Sequence, residues 1–166
     1  ERFLLQVQHI YANTHTEDDV SGRSMSRLLE QASTAIKEAV NAGPNGKLVA
    51  IGTGSTAAIN RFQQMIGVGL PPVTAEFLVR WREQYFGKEK ASAYEEFLRK
   101  KRPVVFVGPF EHHSNEITWR ESLAEVISVG LAADGGLDLV DLEQKLQDPS
   151  YHGRKLIGSF SAASNV

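Results

Sequence analysis

The chain of 166 residues contains no cysteine. Disulfide bridges, thiolate metal ligands and a cysteine nucleophile are therefore excluded for these residues, and a reducing compartment is the easier one to accept. The sequence also lacks any apolar run approaching the roughly 18 residues that a membrane-spanning helix needs, and it opens with no signal-peptide pattern. We therefore expect a cytoplasmic protein with no membrane partner.

The sequence also has no large excess of either charge. It contains 18 Lys and Arg and 20 Asp and Glu, which gives a formal net charge of −2. This balance creates no general attraction for a polyanion, so the composition predicts no nucleic-acid partner. One local basic run, Leu98 to Pro103, leaves an interaction or nucleic-acid role open. Basic residues at a helix end more often stabilise the helix dipole.

Short apolar runs alternate with amphipathic stretches along the chain, whose length is that of one globular domain. The predicted strands cover residues 47–52, 104–108, 126–131 and 155–163. The predicted helices cover residues 25–40, 55–67, 75–86, 91–101, 114–126 and 138–148, the last with Asp138 as its N-cap. Strands that alternate with helices predict an α/β fold with a mostly parallel sheet covered by helices on both faces.

Ligands of open parallel sheets gather beyond the carboxyl ends of the strands, where helix N-termini point. The loop after the first predicted strand, here called the first strand exit, carries Thr53, Gly54, Ser55 and Thr56. Its glycine lets a ligand approach the backbone closely, and two hydroxyls can donate to a phosphate. The lysine of a Walker loop is absent. A Ser/Thr N-cap with a turn glycine explains the same residues, so both interpretations stay open.

The second exit carries Glu111, His112, His113, Ser114 and Asn115. Adjacent histidines point in different directions and cannot easily share an ion, so no metal site is predicted. An imidazole there could still pack against a flat cofactor or act as an acid or base. A first helical turn with both histidines at the surface is the alternative.

The third exit, residues 161–165, offers small side chains and the amide of Asn165, which can donate and accept. A tight turn explains this segment equally well. The three exits together place a phosphate cradle, an imidazole and an amide along one edge of one sheet, and this co-occurrence favours a ligand site more than any single motif.

Three of these segments, GSTAAIN, EHHSNEITW and SFSAASNV, together resemble class V aminotransferases, in the cysteine-desulfurase-like branch of fold-type I pyridoxal-phosphate enzymes. The counterparts there read approximately Gly-Thr-Thr-Glu-Ala-Ile-Asn, Glu-His-His-Ser-Asn and Ser-His-Val-Ser-Asn-Val, in the same order. The resemblance extends from about Tyr11 to Val166. Ala57, where the family often has Glu, and the longer stretch from Gly67 to Pro103 depart from it and bear on substrate identity.

The resemblance implies that Gly54, Ser55 and Thr56 bind the phosphate of pyridoxal 5'-phosphate and that His112 stacks on its pyridine ring. It also implies that Asn165 lies near the ring or the substrate carboxylate, and that His15 borders the substrate pocket. The fold that it implies is a partial PLP-transferase large domain.

The resemblance places an Asp and the Schiff-base lysine of such enzymes beyond Val166, so residues 1–166 are expected to be an N-terminal portion of the large domain, without the small domain and inactive by themselves. The intact protein is expected to act on an amino acid as a homodimer. The rival hypotheses are a phosphate-ligand binding module without catalysis and an interaction domain.

Overall fold

The computed structural model describes residues 2–16 and 18–162, in which five helices precede the first strand and strands and helices alternate only after it. The helices are α1 Arg2–Val7, α2 Val20–Ala39, α3 Gly54–Met65, α4 Pro72–Phe86, α5 Lys88–Arg99, α6 His113–Arg120 and α7 Leu139–Leu146. The strands are β1 Val104–Val107, β2 Glu125–Ser128 and β3 Leu156–Ser159. Short 3-10 turns follow α1 at Gln8–Ile10 and α7 at Pro149–Tyr151.

The three strands form one parallel sheet in the order β2-β1-β3. Val107, at the end of β1, pairs with Ser128 of β2 and Ser159 of β3, so the three carboxyl ends are level. All four residues of β1 are buried, as expected for a central strand covered on both faces. The predicted α/β class with a parallel sheet is confirmed.

Successive residues of β1 point to opposite faces of the sheet and build two cores. On one face, Val105 and Val107 pack with Trp119 of α6 and with Ile59 of α3. On the other face, a smaller core forms around Val104 and Phe106, with Val129 and, half-buried, Ile127, Leu137, Leu142 and Tyr151. Helices therefore cover both faces, and the α3/α6 face carries the helices whose first turns hold the predicted site residues.

Helix α6 ends earlier than the predicted stretch 114–126, which included the start of β2. The hydroxyl of Ser122 donates to the backbone carbonyl of Trp119 and accepts from the amide of Ala124. A serine that bonds its neighbouring backbone in this way closes a turn instead of continuing a helix. Helix α7 begins as predicted, because Asp138 accepts from the amides of Val140 and Asp141.

The strand predicted at residues 47–52 is not formed, and that prediction is wrong. Leu48 and Val49 are 43% and 50% exposed, and within the described part of the chain no strand pairs with this segment. An apolar run becomes a strand only where a partner supplies backbone donors and acceptors.

The chain divides into two compact units, Glu1–Ala50 and Ile51–Val166, so the boundary falls inside this apolar run. In the first unit, α2 begins five residues before the predicted Met25, because Asp19 accepts from the amide of Gly22 as an N-cap. The second unit contains the sheet. Among the described residues, no helix has the length and apolar character needed to cross a membrane.

Candidate functional site at the carboxyl edge of the sheet

Glu111, directly after the β1 exit, joins three segments at the carboxyl edge. One carboxylate oxygen accepts from the backbone amides of Gly108, at 3.3 Å, and Ser161, at 2.9 Å. The other accepts from the side-chain amide of Asn115 and from the hydroxyl of Ser161, both at 2.7 Å. The exits of β1 and β3 and the first turn of α6 are thus fixed to one side chain.

The ionised form of Glu111 is favoured by this arrangement. Burial by itself would raise the pKa of the carboxyl, but the hydrogen bonds from Asn115, Ser161 and Gly108 together hold that pKa below its usual value of 4.5. The group is therefore a carboxylate at neutral pH, and it acts as an acceptor of four hydrogen bonds.

Asn115 continues the network into the core. Its amide nitrogen also donates to the backbone carbonyl of Ser159, at 3.2 Å, and its amide oxygen accepts from the indole N–H of Trp119, at 3.0 Å, and from the hydroxyl of Ser159, at 2.7 Å. The indole N–H also lies 3.0 Å from that hydroxyl. Asn115 and Trp119 are buried, so each polar group that enters the core has a partner, as a stable interior requires.

His112 lies at the surface of this edge as the N-cap of α6. Its Nδ1 accepts from the backbone amide of Ser114, at 3.2 Å, and lies 2.9 Å from the Ser114 hydroxyl. Because Nδ1 accepts, the ring proton lies on Nε2 in the neutral imidazole. The ring of His113 is 5.7 Å away at an angle of 64°, so the two imidazoles do not converge on one point.

The segment Gly54–Thr56 forms the first turn of α3 and is exposed. Gly54 has φ +66°, a conformation that favours glycine, and a Cβ there would meet no atom within 4 Å. Within the described residues, the hydroxyls of Ser55 and Thr56 make no hydrogen bond, and Thr53 provides no side-chain cap. This first turn therefore presents free backbone and hydroxyl donors to solvent.

Helices α3 and α6 run in the same direction, because Gln63 meets Thr118 and, five residues further along each segment, the amide of Leu123 donates to the carbonyl of Val68. Gln63, near the end of α3, donates to the hydroxyl of Thr118, near the end of α6, and the rings of Phe62 and Trp119 meet edge to face at 6.2 Å. Counting back at 1.5 Å per residue, α3 begins about 6 Å beyond α6 along the shared direction, in addition to the roughly 8–10 Å that ordinarily separates the axes of packed helices. Both first turns therefore lie toward the carboxyl edge, on the same face of the sheet.

The predictions that place His15 and Asn165 at this site stay predictions. His15 belongs to the unit Glu1–Ala50, where its backbone amide donates to the hydroxyl of Ser26 at 3.1 Å. Asn165 lies outside the described residues. Among the residues that the structure describes, no group of three or more His, Asp or Glu side chains is placed to hold a metal ion.

The network residues Glu111, Asn115 and Trp119 were not predicted as a unit. The three residues are spaced four positions apart, which places them on one face of a helix and of the segment that precedes it. This spacing is the only local signal for them. The contribution of Ser159 has no local signal, since it depends on the register of β3 against β1.

No protein-family model, no curated protein and no solved structure matches this chain. The α/β class and the geometry of the carboxyl edge are therefore the basis for assigning a function.

Proposed function

We propose that the carboxyl edge of this sheet binds pyridoxal 5'-phosphate, and that the chain is part of a class V aminotransferase-type enzyme that acts on an amino acid. The observation that carries the proposal is the pair of helix starts on one face. The first turn of α3 has unpaired donors, and the first turn of α6 has an exposed imidazole. A compact ligand with a phosphate at one end and a ring at the other would use both helix starts.

The residues fit such a ligand chemically. The amides and hydroxyls of Ser55 and Thr56 would hold the phosphate, since a helix N-terminus favours an anion. The exposed ring of His112 would stack on the pyridine ring, while its Nδ1 stays committed to Ser114. Gly54, with open space at its Cβ position, would let the phosphate approach the backbone.

Pyridoxal 5'-phosphate, when bound, supplies an electron sink for carbanion chemistry on an amino acid. The role of this chain is to hold and orient that group. Glu111 is a positioning residue in the proposal, because its carboxylate fixes the segment Gly108–His112 to Ser161 and so sets where the His112 ring lies.

The proposed enzyme also needs a lysine that bonds covalently to the cofactor. The positions of Lys145 and Lys155 show whether either could be that lysine. Lys145 donates to the backbone carbonyl of Ser128, at the carboxyl end of β2, and to Asp141 at 2.6 Å. It is thus partly buried and paired. Lys155 precedes β3 at the opposite edge, where its carbonyl accepts from the amide of Val104. We propose that the bonding lysine is outside the described residues.

Borohydride reduction in the presence of pyridoxal 5'-phosphate tests this assignment. We expect labelling spread thinly over surface lysines, as read by peptide mass spectrometry, and the same pattern in Lys145→Arg, which keeps a cation beside Asp141. One equivalent of label on Lys145, lost in that variant, would contradict it. A phosphate-binding module without catalysis would bind inorganic phosphate as tightly as pyridoxine 5'-phosphate, whereas the proposal expects tighter binding of the latter.

A further inference from the structure

A cavity between α4, α5 and the start of the sheet, here named the hairpin cavity, has a volume of about 410 Å³. Small-molecule pockets ordinarily measure about 300–1,000 Å³. The lining of the hairpin cavity includes Arg102 and Leu123, which lie two residues before β1 and β2. The cavity therefore lies at the amino edge of the parallel sheet, opposite to the candidate site at the carboxyl edge.

The walls of the hairpin cavity are mostly aliphatic. Seven of its twelve lining residues are Leu, Val or Ala. Among them, Leu78 and Val79 of α4 are 47% and 46% exposed, and Leu123 is 39% exposed. These side chains would lose contact with water if an apolar molecule lay in the cavity, and such burial is favourable. The walls therefore suit a hydrocarbon chain.

The charged residues of the lining are two arginines and two glutamates, and one of the arginines is not fully hydrogen-bonded. Glu95 of α5 pairs with Nη1 of Arg82, on α4, at 2.8 Å, and it also pairs with Arg102. Glu83 is exposed, so water and salt screen its charge. Within the described residues, the Nε of Arg82 is buried and has no hydrogen-bond partner. A buried donor ordinarily has an acceptor, so this N–H indicates a place for one.

A carboxylate is the acceptor that fits this place best. Arg82 and Arg102 carry two positive charges, and they share the single carboxylate of Glu95. A guanidinium can hold a carboxylate through two parallel N–H bonds, and Glu95 contacts Arg82 at Nη1, which leaves the Nε–H edge for a second carboxylate. Residues 72–102 contain eight Lys and Arg and five Glu, a charge of +3, so the surrounding hairpin also attracts an anion.

We propose that the hairpin cavity binds a small aliphatic monocarboxylate. The carboxylate lies on the Nε–H edge of Arg82, and the hydrocarbon chain lies against the aliphatic walls between α4 and α5. The charged head fixes the orientation of the ligand, and burial of the chain supplies most of the affinity. The inference is independent of the proposed function, because the hairpin cavity shares no residue with the candidate site and lies at the opposite edge of the sheet.

Nitrogen-15 NMR titration with octanoate tests the site directly, because the Nε–H of an arginine gives its own signal. Arg82→Lys, which keeps the positive charge, assigns the Arg82 signal by its loss. We expect octanoate to shift this signal saturably in the wild type. Two ligand controls separate the head from the chain: 1-octanol has the chain without the charge, and acetate has the charge without the chain. Each control should bind at least about tenfold more weakly than octanoate.

Three variants complete the test, with circular dichroism as the check on folding. Arg82→Met keeps an apolar stem and removes the donors, so octanoate should bind at least about tenfold more weakly. Arg80→Met is the matched control, since Arg80 lies on the same helix and outside the cavity lining, and it should bind octanoate normally. Ser92→Phe adds a ring at an exposed lining position and leaves Arg82 in place, so it should also weaken binding.

Three results would overturn the proposal, and none of them depends on the folding of Arg82→Met. The first is an Arg82 Nε–H signal that octanoate does not move in the wild type. The second is 1-octanol that binds as tightly as octanoate, which would make the cavity an apolar hole without a carboxylate site. The third is a Ser92→Phe variant that binds octanoate as tightly as the wild type.

Discussion

The first turns of α3 and α6 are both helix N-termini with unpaired backbone N–H groups, but they differ in which side chains accept hydrogen bonds from those groups. At α6, His112 caps the helix and Glu111 and Asn115 tie it to both neighbouring strand exits. At α3, the first turn has no side-chain cap and is exposed. The difference separates a hydrogen-bonded platform from a set of free donors, and the proposed phosphate ester would use both.

The comparison also shows how one stretch of sequence could serve stability and the proposed binding together. In residues 111–115, Glu111 and Asn115 face the interior network, whereas the ring of His112 faces solvent. Each function uses a different side of the same turn. Variants can therefore remove the platform, the cap or the free donors one at a time.

The largest effect is expected for Trp119→Ala, which breaks the platform. This indole is buried against Val105 and Val107 and donates to both Asn115 and Ser159. Loss of a buried ring costs about 3–5 kcal/mol in the free energy of unfolding. Urea denaturation followed by circular dichroism measures it. Trp81→Ala, at a 56% exposed tryptophan, is the control and should change that free energy by less than half as much.

Glu111→Gln should have a smaller effect that depends on pH. It replaces an ionised acceptor of four hydrogen bonds, at an expected cost of about 1–3 kcal/mol at pH 7. The folded pKa of Glu111 lies below its unfolded value. Its contribution is therefore complete above the unfolded pKa, near 4.5, and is lost as the pH falls through the folded pKa.

Urea titrations of the wild type and Glu111→Gln at several pH values between 7 and 3 check this dependence. The difference in free energy should be constant from pH 7 to 6 and shrink below pH 4. Glu116→Gln, which removes only an exposed pair with Arg120, serves as control and should cost less than about 1 kcal/mol at every pH. A difference between wild type and Glu111→Gln that does not change with pH would show that the ionised carboxylate is not what the network uses.

The cap at His112 should contribute least to stability. His112→Ala is expected to cost about 0.5–1 kcal/mol, because α6 loses the acceptor for the amide of Ser114. His112→Asn should restore this stability, since asparagine is a strong N-cap, while removing the imidazole. Thermal unfolding of the three proteins measures the cap. If the Asn variant is no more stable than the Ala variant, the side chain does not act as a cap.

The sequence predicted much of the fold because its signals were local. The apolar run at Val104–Val107, the cap at Asp138 and the helical spacing after Ser55 each specify structure within a few residues. The run at residues 47–52 carried the same apolar signal but formed no strand, since strand formation depends on a partner elsewhere in the chain. Pattern alone does not supply that partner.

The candidate site was predicted in part for the same reason. Strand exits and helix starts can be read locally, so the positions of Ser55, Thr56 and His112 at helix starts could be predicted. The role of Glu111 required knowing that the exits of β1 and β3 are neighbours, which follows from the order β2-β1-β3. The residues that were missed are therefore those whose contacts depend on how distant strands pair.

The central claim is that the free donors of α3 and the imidazole of α6 bind one phosphate-bearing ring, and nitrogen-15 NMR titration with pyridoxine 5'-phosphate tests it most directly. That compound has no aldehyde, so it cannot react with surface lysines. Unphosphorylated pyridoxine and Thr74→Ala, which removes a hydroxyl from the first turn of α4, are the controls.

We expect saturable shifts of the backbone amides of Ser55, Thr56 and His112 together, and weaker binding of at least about tenfold in the double variant Ser55→Ala, Thr56→Ala, with its unfolding free energy within about 0.5 kcal/mol of wild type. Thr74→Ala should bind normally, and pyridoxine should bind weakly. The account would be contradicted if those amides did not shift, or if the double variant bound as tightly as the wild type.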